Sequence, residues 1–239
     1  MAKTRKSAKS DTPAPRLTGR LIRRRLRQAV LGVIGLVVLV TLLYKLVNPP
    51  TTPYMLTEGH RLGGVTQDWV AMDDIAPVMA RSVVAAEDAN FCLHWGLDIG
   101  AIRAALAAGG DRGASTISQQ VVKNVYLWQG RNWVRKALEA VWTPLTEFLW
   151  SKRRILELYM NVAEFDTGVF GVQAAAQHYF GVDARSLSGV QAARLAMVLP
   201  DPKGRDAANP TAWQRRRAAG IMDGAATIAV DGRASCFQS

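Results

Sequence analysis

The residues best suited to chemistry lie close together in VVAAEDANFCLHWGLD, residues 83–98 of a 239-residue chain. Two adjacent carboxylates, Glu87 and Asp88, follow an apolar run, and Phe91, Cys92, His94, Trp95, Gly96 and Asp98 come after them. A carboxylate packed beside Phe91 and Trp95 loses water, which raises its pKa toward the range where it takes or gives a proton near neutrality. A helix end with exposed acids and a buried Phe accounts for the same letters, so the stretch alone leaves both readings open. A second group lies downstream. GASTISQQ (residues 113–120) has small residues that admit a ligand to the backbone, and it opens a helix whose N-terminus favours anions. Gln119 and Lys123 fall four apart on one face, and Arg131, Arg135 and Glu139 follow at successive four-residue steps. A surface Arg–Glu pair on a helix is worth only a few tenths of a kcal/mol. This set therefore gains meaning only when Lys123 and Arg131 are taken together.

The elements that position these groups read as helices. Asp73 or Asp74 is expected to cap a helix running through Ile75, Val78, Met79 and Val83, which puts Glu87 at or just past its end, where a carboxylate points into a cleft. A second helix is predicted over 98–108, with Ile99, Ile102, Ala105 and Leu106 apolar, Arg103 on another face and a stop at Gly109 and Gly110. Thr116 and Gln119 have capping-box spacing, so a third helix starts at Ser115 or Thr116. Over 131–150, Val134, Leu138, Val141, Trp142 and Leu145 form the expected buried side, and Pro144 should kink or break the helix near Val141. Over 152–162, Ile155, Leu158, Tyr159 and Val162 share a face, while Glu157 and Asn161 read as a structural hydrogen-bonding pair. Residues 168–181 carry small residues at close-packing spacing and a Gly stop, and residues 187–199 form a helix ended by Pro200 and Pro202. Helices dominate. No alternating strand run or internal repeat stands out, and the tail from Gly224 carries no signal.

The formal net charge of +11 calls for an acidic partner: nucleic acid, anionic lipid or a phosphorylated substrate. The charge is uneven. Residues 1–28 are rich in Lys and Arg with Asp11 as the single acid, and should be disordered to about Arg16. Residues 29–44 are uncharged, Lys45 can snorkel, and Leu46 and Val47 extend a stretch long enough to cross a bilayer. No small-x-small site precedes Asn48, Pro49 and Pro50, so an uncleaved anchor is expected in place of a signal peptide. The basic flank keeps residues 1–28 cytoplasmic and makes Arg20, Arg23, Arg24, Arg25 and Arg27 topogenic, which argues against nucleic acid as a partner. The expected organisation is a basic tail over 1–28, a transmembrane helix over 29–47, a linker over 48–72 and a helical domain over 73–239. Cys92 and Cys236 give neither a disulfide framework nor metal-ligand spacing, and whether they pair stays open.

Five blocks in order resemble the peptidoglycan glycosyltransferase domain of cell-wall synthases, the lysozyme-like glycosyltransferase family 51. They are EDANFCLHWGLD (residues 87–98), GASTISQQVVKN (113–124), RKALE (135–139), KRRILELYMN (152–161) and GVFGVQAAAQHYFG (168–181). Ala114 stands where that family usually has a second Gly, and Ser118 where it usually has Thr; both are small. The length left after the anchor holds no penicillin-binding transpeptidase domain and the chain has no S-x-x-K, so the resemblance is to the monofunctional biosynthetic form. It implies a mainly α, lysozyme-like domain tethered by one transmembrane helix. The implied activity is polymerisation of lipid II, with an α-linked donor and a β-1,4 product, hence inverting displacement of undecaprenyl pyrophosphate for cell-wall biogenesis and cell shape.

By the same resemblance Glu87 matches the base that activates the acceptor hydroxyl, and Lys123 and Arg131 match the cations that stabilise the pyrophosphate, with Arg103 and Arg135 as helpers. Ser115 and Gln119 add hydrogen bonds. Glu139 matches the second family carboxylate, either orienting those cations or holding a divalent cation, Mg or Mn; no other cofactor is implied. Asp88 and His94 shape the loop, and Glu157 and Asn161 give structural support. The implied partners are lipid II, the growing glycan strand, the membrane, and cell-wall synthesis or division proteins. The implied location is the bacterial inner membrane, with the catalytic domain periplasmic. A lysozyme-type lytic enzyme also uses a Glu in a helical fold but has no pyrophosphate to bind, and a non-enzymatic scaffold has no need of both Glu87 and Glu139.

Overall fold

Apolar spacing becomes ten α-helices and three very short strands in a computed structural model that describes residues 19–107, 109, 115–130 and 132–238. The chain divides into two compact units, residues 1–41 and 42–239. The first is dominated by α1 (Gly19–Leu46), whose 28 residues rise about 42 Å at 1.5 Å per residue, more than a hydrocarbon core of roughly 30 Å. Its segment Leu21–Leu46 is long and apolar enough to cross a membrane by length and composition. Leu26, Val33, Leu36 and Leu39 stand exposed along it, the side-chain pattern of a helix whose solvent is lipid. Of the basic tail, residues 1–18 lie outside the described residues.

Residues 48–72, expected to link the two parts, carry secondary structure of their own. Thr52 caps α2 (Pro53–Leu62), accepting from the Met55 N–H at 3.2 Å, and Met55 is buried in the core. Thr66–Gln67 is β1, parallel to β3 (Val169–Phe170), which pairs antiparallel with β2 (Glu164–Asp166). Strands of two or three residues are too short to show alternation, which is why the sequence reads as all helix.

The helix bearing Glu87 starts later than Asp73 or Asp74 would have it. A 3-10 turn occupies Met72–Asp74, and α3 runs Pro77–Glu87 with Ala76 at its N-cap and no side-chain cap. Proline favours the first helical position because its missing N–H would be unpaired there anyway. Asp73 and Asp74 instead pair with Arg153 and Arg185. Asp98 caps α4 (Ile99–Ala107) by accepting from Ala101 N–H at 2.8 Å. A complete Thr116–Gln119 capping box starts α5 (Ile117–Tyr126), and Asn132 caps α6 (Trp133–Leu149). Pro144 lies inside an unbroken α6. Ser151 caps α7 (Lys152–Val162), and α8 (Val172–Phe180) ends at Gly181 in the left-handed region. Further capping boxes start α9 (Gly189–Val198) and α10 (Ala212–Val230).

Helices α3, α9 and α10 pack on one another, and α5 lies between α6 and α7. Met79, Val83, Val84, Val121, Leu158 and Leu195 are among the side chains that close this core. The C-terminal tail joins it: Phe237 is 1% exposed, and Cys236 forms a disulfide with Cys92.

Candidate active site

Glu87 is the last residue of α3, half-buried, with its Oε2 accepting from Gln120 Nε2 of α5 at 2.8 Å. Gln120 is itself held, since the fully buried Tyr159 of α7 donates its hydroxyl to Gln120 Oε1 at 3.3 Å. Burial pushes the Glu87 carboxyl above its ordinary range, opposed by the Gln120 bond and by the positive charges of Arg217, Lys123 and Arg205. Phe91 is buried, but Trp95 is 70% exposed and is not the shield the sequence suggested. The neighbouring carboxylate turns the other way. Asp88 Oδ2 accepts from Ile117 N–H, the first turn of α5, at 3.0 Å, and Oδ1 lies 2.9 Å from His94 Nε2. Asp88 and His94 thus tie the loop after Glu87 to a helix N-terminus, where a negative charge is favoured.

The cations collect on α5 and α6. Lys123 is held below the usual lysine range by burial first and by repulsion from Arg135 second, while Glu87 pulls the other way. It is therefore the charge in electrostatic reach of both the carboxylate and the α6 group. Glu139, 2% exposed, is bound by Arg135 and by Lys136 Nζ at 2.9 Å, and Lys136 also reaches Ser115 Oγ at 3.2 Å. Burial and the charges of Arg135 and Lys123 lower the Lys136 pKa as well. The Glu139 carboxylate is thus occupied by two cations, and among the described residues no group of three or more His, Cys, Asp or Glu converges that could hold a metal. In this arrangement the Glu139 carboxylate holds two cationic side chains.

Several expected positions lie elsewhere. Gln119 is buried and gives its amide oxygen to Thr116 N–H at 3.1 Å, so that acceptor serves the helix cap. Arg103 stands exposed on α4 outside the hydrogen-bonded cation group. Arg131, with Gly113 and Ala114, lies outside the described residues. Glu157 binds Arg154 at 2.8 Å and meets Asn161 only through its backbone carbonyl. Asn161 makes a two-way bond to Val70 N–H and C=O, both at 2.9 Å, which secures residues 67–70 against α7.

Helix α6 keeps only part of the expected side inside: Trp142 and Leu145 are half-buried, Trp142 stacked on Tyr126, while the rest turns out. Val141 is 78% exposed, and Trp133, Val134, Leu138 and Phe148 also face outward, whereas Glu139, Thr143, Thr146 and Glu147 are buried. The polar face can be buried because its groups are satisfied. Ser118 donates to Glu147, Lys152 Nζ binds Glu147 at 2.7 Å, and Thr143 donates to Glu139 C=O at 2.7 Å. Gly96 lies against this face at φ +78°, where a Cβ would meet Thr143 Cγ2 at 2.6 Å. That close approach, with Thr116 donating to Gly96 C=O at 2.6 Å, docks the loop after Glu87 onto α5 and α6.

Gln120, Lys136, Arg205 and Arg217 were not singled out from sequence. Helical spacing could have found the first, because residues 120 and 123 share a side of α5 while 119 belongs to the cap. Gln120 and Lys123 also line a polar cavity of about 170 Å³ with Tyr54, Asn124, Gln129 and Tyr159.

A partly dehydrated carboxylate and a nearby group of half-buried and exposed cations, carried on a helical scaffold, are the features a group-transfer site needs. Residues 57–225 match the family model described as Transglycosylase. Three similar curated proteins share the name biosynthetic peptidoglycan transglycosylase. That of Jannaschia sp. (strain CCS1) is 56% identical over 237 residues, 99% of each chain. That of Pseudomonas fluorescens (strain Pf0-1) is 47% identical over 213 residues, 84% of this chain and 88% of the relative. That of Caulobacter vibrioides is 43% identical over 227 residues, 91% and 99% of the two chains. The chain belongs to the transglycosylase family, and is a glycosyltransferase.

Proposed function

We propose that this glycosyltransferase builds peptidoglycan for the cell wall by polymerising lipid II into β-1,4-linked glycan strands. The observation that carries the reading is Lys123, half-buried on α5 with Gln120, the partner of Glu87, on the same cavity wall, and electrostatically coupled to Glu87 and to Arg135. A sugar hydroxyl is a weak nucleophile at neutral pH, and Glu87 takes its proton as the oxygen attacks the anomeric carbon of the donor. The bond from that carbon to the pyrophosphate breaks on the opposite face, so an α-linked donor gives a β-linked product. The charge that develops on the leaving pyrophosphate meets Lys123 together with Lys136 and Arg135, the latter two oriented by Glu139, with Arg131 as a further cation. Gln120 fixes the direction of the Glu87 carboxylate through its bond to Tyr159.

Both substrates would carry lipid tails, and two features suit that. Helix α1 is long and apolar enough to anchor the chain, with its basic flank cytoplasmic and the enzyme domain on the outer side of the inner membrane. The outward apolar strip of α6 would rest in the bilayer surface and keep the pyrophosphate site at headgroup level. The test uses the purified full chain in detergent with lipid II. Wild type should form long glycan strands and Glu87→Gln should form none while still binding lipid II. Normal strands from Glu87→Gln would remove Glu87 from the role of base, and a wild type inert toward lipid II would sink the reading as a whole.

A further inference from the structure

The loop that follows Glu87 is fastened from two sides, and only one is explained by the site. On the inner side Asp88 and His94 tie it to α5. On the outer side it is held by the C-terminal tail, 144 residues away in sequence. Cys92, in the 3-10 turn Phe91–Leu93, is bonded to Cys236 with their Cα atoms 5.6 Å apart. Next to the disulfide, the buried Phe237 ring packs 6.3 Å from that of Phe91, and its carbonyl accepts from Arg153 Nη1 at 3.2 Å. Arg233 Nη1 reaches the Ala89 carbonyl at 3.2 Å, beside Glu87, while Gln238 Nε2 reaches the Pro77 carbonyl at 2.7 Å at the other end of α3. Arg81 of α3 donates to Gln238 Oε1 at 2.9 Å, and Arg217 of α10 approaches the Ala86 carbonyl at 3.4 Å. The tail therefore braces the whole length of the helix that ends in Glu87. Both cysteines are only half-buried, so a small thiol or disulfide can reach them.

We propose that the Cys92–Cys236 disulfide is a positioning element for Glu87 and makes full activity conditional on oxidising surroundings. The idea rests on the reading of Glu87 as the base. Closure proceeds by thiol–disulfide exchange. One cysteine thiolate attacks a disulfide-bearing oxidant, the second displaces it from the mixed disulfide, and the two protons and two electrons leave with the oxidant as thiols. With the bond closed, residues 232–238 are held over the turn at 91–93 and α3 cannot slide or fray at its C-terminal end. With it open, the tail is held by single hydrogen bonds and by the burial of Phe237, with no covalent tie to the turn at 91–93, and Glu87 is less well aimed.

The test uses the full chain in detergent with lipid II, oxidised, reduced with dithiothreitol and reoxidised with oxidised glutathione, thiols being counted at each stage. Helical content is followed by circular dichroism at the assay temperature. Reduction should lower kcat about tenfold, as expected of a slightly misaligned base, with KM for lipid II unchanged, and reoxidation should restore it. Cys92→Ala/Cys236→Ala should show the low kcat and ignore both reagents. Equal kcat in the oxidised and reduced chains overturns the proposal. So does a loss that appears in KM alone or that tracks loss of helical signal, since either is what a purely structural staple would give. A chain inactive in both states removes the base assignment and this inference together.

Discussion

At the scale of single residues, two adjacent acids that look equivalent in sequence have opposite surroundings. Asp88 is bound by a helix N-terminus and His94, whereas Glu87 is dehydrated and held by one amide. The raised Glu87 pKa sets a sign. As a base the group must be ionised, so kcat/KM should fall as pH drops through a value above the ordinary carboxylate range, and a pH profile checks this. For stability the sign is reversed. A carboxyl with a raised folded pKa favours folding below its unfolded pKa, and that contribution is lost as pH rises through the folded value. Glu87→Gln should therefore keep or raise the Tm at neutral pH while abolishing activity. Lys123→Ala should lower kcat/KM roughly 10- to 100-fold, about 1.5–3 kcal/mol for a lost hydrogen bond to a charged group. The carboxylate and the Lys123 side of α5 were legible because their types and spacing are unusual. Gln120 was within reach of helical spacing from Lys123 but was passed over for Gln119, and Lys136 was not legible, because a lysine on a charged helix acquires meaning only from the group it faces.

At the scale of elements, most helices were legible and the orientation of α6 was not. Thr116–Gln119 marks the start of α5 in sequence and in space, and Ile155, Leu158, Tyr159 and Val162 are buried on α7. On α6 the apolar side was read as the inner one, since burial of apolar surface normally decides. That rule presumes water outside. Here the polar side is closed by Ser118, Lys152, Arg135 and Lys136, and the apolar side is left for another environment. Replacing exposed Val141 and Phe148 with Lys should leave the free energy of unfolding within about 1 kcal/mol of wild type, as for surface changes generally. The same pair should raise KM for lipid II presented in vesicles about 100-fold or more, since burying each apolar side chain is worth about 1.5–3 kcal/mol. A KM unchanged in vesicles would detach this strip from the lipid surface.

At the scale of the whole molecule, the ends of the enzyme unit matter most. Closing a 144-residue loop limits the unfolded chain, with an entropic upper estimate of about 5 kcal/mol, and engineered examples often deliver less. Reduction should lower the Tm by roughly 5–15 °C at 2–4 °C per kcal/mol, as measured by calorimetry in detergent. The pairing was illegible in sequence because two cysteines at that separation have no spacing signature, and the tail after α10 has no periodicity to mark it as core.

The burial of Phe237 also bears on how the chain is made. A ribosome delivers this protein N-terminus first, so the helix ending in Glu87 emerges long before the aromatic ring and sulfur that brace it. β1 likewise waits about a hundred residues for β3. Until residues 232–238 arrive, the core beside Phe91 is open at one wall. Completion of the site is thereby coupled to synthesis of residues 232–238: a chain that stops short of them leaves an apolar opening for proteases and chaperones to find.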